Sequence, residues 1–235
     1  TGWYTLSLHD ALPILLSHSR FSLTLTPSLA AVALGAIPYL TDFPYGCVEQ
    51  TLNGFLPNVL LLHTLNEVGA LSEDEKAKIE SLADRVEKSC QRIYSMQKDE
   101  GGWGWFTDSP EDLALTALVV HGLHQIHQLG YTINEDRLEW GVNSLQSNIS
   151  QYRIWDIQAF ASFVLSEFPD NELPMLDEFY TNRNELHDFG LAVAALAFHN
   201  RQKEKEANEI LDLLLSRLQN LSDRHAAWET SPESM

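Results

Sequence analysis

The spacing of hydrophobic residues changes once along the chain. Between residues 20 and 26, three apolar side chains (Phe21, Leu23 and Leu25) alternate with Ser and Thr, which is typical of a half-buried strand. After this segment, apolar residues recur every three or four positions, the spacing of helices with one buried face. Pro57 is expected to kink or restart one of these helices. The pattern predicts helices over residues 28–40, 48–68, 72–96, 111–129, 135–147, 155–167, 173–183, 187–200 and 203–220.

The predicted helices alternate between two types. Those that start at Asp112, Asp156 and Asp188 continue with small and apolar residues, whereas residues 76–88 and 202–217 carry long, charged side chains on one face. Such alternation is a weak internal repeat, and it predicts helical hairpins with the Ala-rich member inside and the charged member facing water. The Asp at each start is expected to complement the helix dipole and to cap the helix. The sequence therefore favours an all-α fold after residue 27.

Composition and charge limit the kinds of partner that the chain is expected to bind. The chain has 235 residues, of which 44% are hydrophobic and 20% charged, enough for a packed core. Its formal charge of −18 is spread along the chain, which argues against binding to nucleic acid or to an anionic membrane surface. The apolar run over residues 30–40 is broken by Gly35 and Pro38 and is too short to span a bilayer.

The segment Cys47-Val48-Glu49-Gln50 carries the candidate chemistry. Residues three apart on a first helical turn lie on one face, so the Cys47 sulfur can attack the Gln50 side-chain amide, expel ammonia and leave a thioester. Gly46 would let the backbone turn tightly into the helix, and the helix N-terminus would favour the thiolate. The four residues alone fit a small buried hydrophobe or an isolated reactive thiol equally well. Cys90, on the apolar side of its helix, is expected to be structural.

The residues around Cys47 strengthen the thioester interpretation. The segment Phe43-Pro44-Tyr45-Gly46-Cys47-Val48-Glu49-Gln50-Thr51 resembles the thioester motif of the alpha-2-macroglobulin and complement family. It is most similar to the bacterial branch, which typically has Tyr-Pro-x-Gly-Cys-x-Glu-Gln-Thr, with Phe43 here where that branch often has Tyr. The resemblance implies a Cys47–Gln50 cross-link, a turn shaped by Gly46 and Glu49, and a hydrophobic shield that includes Phe43 and Tyr45.

A second segment resembles the same family. Residues 96–105, Met-Gln-Lys-Asp-Glu-Gly-Gly-Trp-Gly-Trp, are similar to a turn of bacterial thioester domains, and residues 180–198 follow the family pattern. The glycines permit a sharp reversal and the tryptophans can close the gap between hairpins, so a scaffold role is expected. The resemblance implies an α/α toroid of helical hairpins, and this fits the alternating helices better than an up-and-down bundle.

The sequence also predicts where the domains begin and end. Residues 5–14 resemble the translation of a common sequencing-adapter oligonucleotide, so residues 1–14 are expected to be an assembly artefact. Residues 15–26 are expected to be a strand remnant at the tail of an upstream β domain. Residues 27–235 would form the thioester domain. Residues 225–229 look like the lead-in to a further hairpin, which indicates an incomplete toroid.

The resemblance also implies a function. The chain would be a fragment of a bacterial alpha-2-macroglobulin-like, broad-spectrum endopeptidase inhibitor, not an enzyme, that traps target proteases through the thioester once they cut elsewhere. No metal, small-molecule cofactor or nucleic acid is expected. The full-length protein would lie in the periplasm or at the inner membrane facing the periplasm, with any membrane anchor outside this chain.

Four histidines are candidates for metal binding or for assisting acyl transfer. His121, His124 and His127 are spaced at i, i+3 and i+6, and the first two could share a metal. No Cys or carboxylate is spaced to complete such a site, which favours surface or groove histidines. His187 is the candidate, on position alone, for the His that assists acyl transfer in complement proteins.

Other functional classes remain open at this level. A cysteine hydrolase would need partners for Cys47 that no local signature provides. Gln97, Gly101 and Trp103 match the Gln-Trp motif of terpene cyclases and prenyltransferases, which are also α/α barrels, but the chain has no Asp-x-Asp-Asp motif for protonating an alkene. A non-catalytic helical-repeat adaptor is the third alternative, if Cys47 is inert.

Overall fold

The computed structural model describes residues 46–67, 69, 73–222 and 225–228. The predicted strand over residues 20–26 and the helix over residues 28–40 lie outside the described residues, as do Phe43, Tyr45 and Ser72. No helix in the described ranges is long and apolar enough to cross a membrane.

Helices account for most of the described chain. The elements are α1 Val48–Asn53, α2 Leu56–Glu67, α3 Glu73–Ser95, α4 Leu113–Gln128, α5 Glu135–Asn148, α6 Trp155–Ser166, α7 Leu176–Thr181, α8 Asp188–Asn200, α9 Glu204–Ser216, β1 Gln219–Ser222 and β2 His225–Ala227. Single 3₁₀ turns follow α5 at Ile149–Gln151 and α7 at Arg183–Glu185. Within the described ranges, each helix predicted from residue 48 onward is present, and most end within one or two residues of the predicted bounds.

Pro57 restarts a helix as expected. The predicted helix over residues 48–68 breaks at Gly54 and Phe55, and Pro57 lies in the first turn of α2. A first-turn residue has no intrahelical partner for its N–H, so proline costs little there.

The end of the chain differs from the prediction. The helix predicted to reach residue 220 stops at Ser216, and β1 pairs with β2 in an antiparallel hairpin, with Gln219 opposite Ala227 and an irregularity near Ser222. The apolar residues of this stretch continue the helical spacing of α9, so periodicity alone could not locate the change.

The inner helices α4, α6 and α8 run side by side in the same direction. At one end Asp112 accepts a hydrogen bond from Tyr152 at 3.3 Å, and Asp156 binds His187 at 2.5 Å. At the other end Asn200 donates to Ser166 at 2.9 Å. The α1–α2 segment packs on α4, α4 on α6, and α6 on α8, while α5 and α9 cover the outside. The inner helices approach closely because buried alanines line them, among them Ala117, Ala159, Ala161, Ala194 and Ala197.

The aspartates at the helix starts divide into two roles. Asp112 caps α4 as predicted, accepting the Leu115 N–H at 2.9 Å. Asp156 and Asp188 lie inside the first turn instead, so the capping prediction is wrong for them. Their carboxylates complement the helix dipole and bind the next repeat, Asp156 at His187 and Asp188 at Arg217 (3.3 Å). The repeated Asp therefore joins neighbouring hairpins.

Candidate functional site

Cys47 and Gln50 meet at the start of α1. Cys47 is the N-cap, with extended backbone (φ −60°, ψ 171°) and a side chain that is 7% exposed. Its sulfur accepts the Gln50 backbone N–H at 3.5 Å, and its own N–H donates to Gln50 Oε1 at 3.3 Å. This reciprocal pair is a capping box in which cysteine replaces the usual hydroxyl residue. The Cys47 thiol and the Gln50 carboxamide, which the sequence predicts to form the cross-link, are thus neighbours.

This geometry suits acyl chemistry. The Cys47 N–H polarises the Gln50 carbonyl, so it would stabilise negative charge on Oε1 as a nucleophile adds to the carbon. The sulfur lies on the same turn, 3.5 Å from the Gln50 backbone nitrogen, so the two reacting side chains start from neighbouring positions. The arrangement can support attack by Cys47 on Gln50.

Gly46 and Glu49 occupy the same turn. A Cβ at Gly46 would lie 3.1 Å from Thr51 Oγ1 and 3.2 Å from Gln50 Cβ, closer than nine in ten real Cβ contacts. A larger residue at this position would therefore require Thr51 and Gln50 to shift by a few tenths of an ångström. Glu49 lies in the first turn of α1, where its carboxylate complements the helix dipole.

The glycine-tryptophan turn predicted as scaffold holds the start of α1. The Trp105 carbonyl accepts the Val48 N–H at 3.0 Å. Trp103 is fully buried, and its indole N–H donates to the Ile93 carbonyl at 2.9 Å. Gly101 has φ +100°, and a Cβ there would lie 2.4 Å from the Trp140 carbonyl oxygen, so only glycine fits.

Gln97 has a structural role in the same turn. Its side-chain amide donates to the Gly101 carbonyl at 2.7 Å and to the Arg137 carbonyl at 2.8 Å. The residues that match the cyclase motif therefore close a turn and tie it to α5. The side-chain amide of Gln97 is therefore engaged in hydrogen bonds within the fold.

Arg92 is a site residue that the sequence did not reveal. Its guanidinium reaches from the last turn of α3 to the Gly46 carbonyl at 3.1 Å and to Thr51 Oγ1 at 3.3 Å. A charged residue on an exposed helical face has no local pattern that marks such a contact. Only the packing of α3 beside α1 brings the two together.

Cys90 has the surroundings expected of a structural cysteine. It is buried in α3, and burial raises the pKa of its thiol to about 11, although a hydrogen bond with the Tyr94 hydroxyl opposes the increase. The same burial raises the pKa of Tyr94 to about 12, and the Asn134 N–H donates to the Tyr94 hydroxyl at 3.0 Å. The Cys90 thiol is therefore held neutral.

The histidines are engaged in packing and ion pairs. His121 binds Glu167 at 2.7 Å, and His124 lies against the Phe168 ring, where burial lowers the pKa of its imidazole. No group of three metal-binding side chains occurs among the residues that the structure describes. His187 binds Asp156, and α4 and α6 lie between its helix and α1. The structure therefore does not bring His187 beside Cys47.

Comparison with known proteins identifies the fold and the family. The family model of the A-macroglobulin TED domain matches residues 20–152. The alpha-2-macroglobulin of Thermotoga maritima is 30% identical over 151 residues, covering 64% of this chain and 9% of the relative. The chain spans only 9% to 11% of the length of such bacterial relatives.

Solved structures agree in fold. The crystal structure of native Escherichia coli alpha-2-macroglobulin from domain MG7 to the C-terminus superposes with a TM-score of 0.67 at 24% identity, covering 82% of this chain and 32% of that chain. Salmonella alpha-2-macroglobulin reacted with methylamine gives a TM-score of 0.66 at 23% identity, covering 85% and 14% respectively. The predicted all-α toroid of helical hairpins is confirmed, and with a family model matching more than half of its length, the chain belongs to the A-macroglobulin TED, or thioester, domain family.

Proposed function

We propose that this chain carries an internal thioester between Cys47 Sγ and the side-chain carbonyl carbon of Gln50. The observation that carries the proposal is the reciprocal pair of hydrogen bonds between Cys47 and Gln50 at the start of α1. In forming the bond, the sulfur loses its proton and attacks the carboxamide carbon. The carbon–nitrogen bond then breaks, and nitrogen leaves as ammonia with the proton.

The reverse chemistry would trap a protease. A lysine amine of the protease attacks the thioester carbon, the carbon–sulfur bond breaks, and an amide joins the two proteins while Cys47 regains a thiol. We propose on this basis that the full-length protein is a broad-spectrum endopeptidase inhibitor rather than an enzyme, with proteases as its partners. Its relatives are named alpha-2-macroglobulin, which supports the proposal.

A thioester lasts only where water is excluded. Cys47 is buried, but Gln50 is exposed. A thioester at this position therefore needs a shield over Gln50, and we propose that Phe43 and Tyr45 form part of it. A protease cut elsewhere in the full-length protein would then act by removing the shield.

The proposal extends to the setting of the domain. We place the thioester domain at residues 27–235, after an upstream β domain ending at residues 15–26, and we assign residues 1–14 to an assembly artefact. Several relatives are bacterial alpha-2-macroglobulins, and for the full-length protein we propose a location in the periplasm or at the inner membrane facing the periplasm. Any membrane anchor would lie outside this chain.

Intact mass tests the proposal directly. The untreated product of the complete gene should weigh one ammonia less than calculated. Methylamine should then add its own mass at Gln50 and release a thiol at Cys47. A Cys90→Ala background leaves one cysteine of this domain to titrate, and trypsin should form a covalent adduct that Cys47→Ser abolishes. A mass equal to the calculated value, with the Cys47 thiol titratable before treatment, would favour the adaptor interpretation.

A further inference from the structure

Arg92 contacts the Cys47–Gln50 turn on both sides of the cysteine. One terminal nitrogen of its guanidinium donates to the carbonyl of Gly46 at 3.1 Å. Its Nε donates to the hydroxyl of Thr51 at 3.3 Å. The guanidinium therefore spans the turn from the residue before the cysteine to the residue after the glutamine.

Thr51 passes the second contact on to Cys47. Its hydroxyl accepts from Arg92 and donates its hydrogen to the Cys47 carbonyl at 3.0 Å. The Thr51 backbone N–H donates to the same carbonyl, also at 3.0 Å. The Cys47 carbonyl is thus held by Thr51, and Thr51 is held by Arg92.

These contacts act on the two peptide groups that define the cysteine backbone. The Gly46 carbonyl belongs to the peptide before the Cys47 α-carbon, and the Cys47 carbonyl belongs to the peptide after it. The orientations of these two planes set φ and ψ of Cys47, and hence the direction of its Cα–Cβ bond, from which the sulfur extends. On the opposite edge of the second peptide, Val48 N–H donates to the Trp105 carbonyl. Arg92 and Trp105, both remote in sequence, thus hold the backbone that carries the sulfur.

We propose that Arg92 is a positioning residue for the Cys47–Gln50 cross-link, a role that rests on the proposed thioester. Its guanidinium acts through Gly46 and Thr51 to keep the cysteine backbone in the conformation from which sulfur reaches the Gln50 carbon. Reactions between neighbouring groups are sensitive to small errors of alignment, so this role affects chemistry strongly. Arg92 is exposed at the surface, where such contacts contribute little to global stability.

The test compares variants of Arg92 in the product of the complete gene. Arg92→Gln should lower the cross-linked fraction by about fivefold or more, because both donors are lost or misplaced. Arg92→Lys should be intermediate, because an ammonium group is a point charge that cannot match the planar fork. The cross-linked fraction is measured by intact mass, the reactivity of the bond by the rate of methylamine uptake, and the fold by the melting temperature.

Matched controls separate position from charge. Lys88→Gln removes one positive charge from the same face of α3, one turn earlier, and should leave the cross-linked fraction unchanged. Thr51→Val removes the relaying hydroxyl at nearly constant volume and should resemble Arg92→Gln, whereas Thr51→Ser should retain the cross-link. These Thr51 variants decide the matter if Arg92→Gln does not fold.

The other outcomes contradict either the positioning role alone or the thioester itself. Equal cross-linking and equal methylamine rates in wild type and Arg92→Gln would overturn the positioning role while leaving the thioester intact. An equal loss in Lys88→Gln would show that charge rather than geometry matters, and would also overturn it. A wild-type protein at its calculated mass would overturn the thioester itself, and the positioning role with it.

Discussion

The two cysteines of this chain are both buried but occupy opposite kinds of helical position. Cys47 is the N-cap of α1, with extended backbone and a carboxamide three residues ahead. Cys90 lies in the interior of α3, where burial raises the pKa of its thiol to about 11. The comparison shows that burial alone does not indicate whether a thiol has a chemical role. At the start of α1, Cys47 lies beside backbone N–H groups that have no intrahelical partner and beside the Gln50 carboxamide. Cys90 lies in the interior of a helix, where the backbone N–H groups are paired.

The supports of the two cysteines also differ in origin. Cys90 is held by its own helix and by Tyr94, one turn later. The Cys47 turn is held by Arg92 of α3 and by the Trp105 carbonyl. The position of Cys47 thus depends on segments that are remote in sequence, and this dependence makes it sensitive to distant substitutions.

Replacing each cysteine in turn gives the largest expected difference. Cys47→Ala should abolish both the ammonia deficit and all uptake of methylamine, because no sulfur remains to form the bond. Cys90→Ala should retain both, because that thiol takes no part. Mass spectrometry with labelled methylamine measures the effect. Persistent uptake in Cys47→Ala would show that methylamine incorporation does not depend on Cys47.

Glycine substitutions test the remote support of Cys47. Gly101→Ala should lower the free energy of unfolding by about 3 kcal/mol, because a Cβ meets the Trp140 carbonyl and the φ of +100° is strained. Gly130→Ala is the matched control, since its φ is +86° and nothing lies within 4 Å of the added carbon. It should cost about 1 kcal/mol. Urea unfolding measures both, and equal losses would show that packing around the turn is unimportant.

Alkaline pH should reveal the surroundings of Cys90. Because the folded pKa is raised from 9.0 to about 11, the neutral thiol is stabilised by folding. This contribution is complete below pH 9 and is lost as pH rises through about 11. The free energy of unfolding should therefore fall between these pH values by about 2 kcal/mol more in wild type than in Cys90→Ala. Parallel pH curves for the two proteins would contradict the expectation.

Capping variants give the smallest effect. Sulfur is a weak acceptor, so Cys47→Ser should cap α1 better and raise the free energy of unfolding by about 0.5 kcal/mol. The reference is wild type opened with methylamine, so that the cross-link itself is not counted. Asp112→Ala removes a cap with a 2.9 Å hydrogen bond and should cost about 1 kcal/mol. Circular-dichroism melting checks both, and a destabilised Cys47→Ser would indicate that sulfur packing outweighs capping.

Much of the fold could be predicted from the sequence because helical signals are local. Apolar spacing located the helices, and Pro57 marked the start of α2. The hairpin after Ser216 was missed because strand pairing joins residues such as Gln219 and Ala227 across a turn, which no single periodic pattern records. The roles of Asp156 and Asp188 were also misjudged, since their partners belong to the following repeat.

By itself, the sequence determined which two residues of the proposed thioester come together and the turn that holds them. Cys47 and Gln50 lie three residues apart at a helix start, so their proximity follows from helical geometry once α1 forms. Only the tertiary structure decided what holds that turn in place, because the donors and acceptors that flank Cys47 come from Arg92 and Trp105. Local spacing sets which atoms can meet, whereas the packing of distant segments sets the angle at which they meet, and no short stretch of sequence encodes that angle.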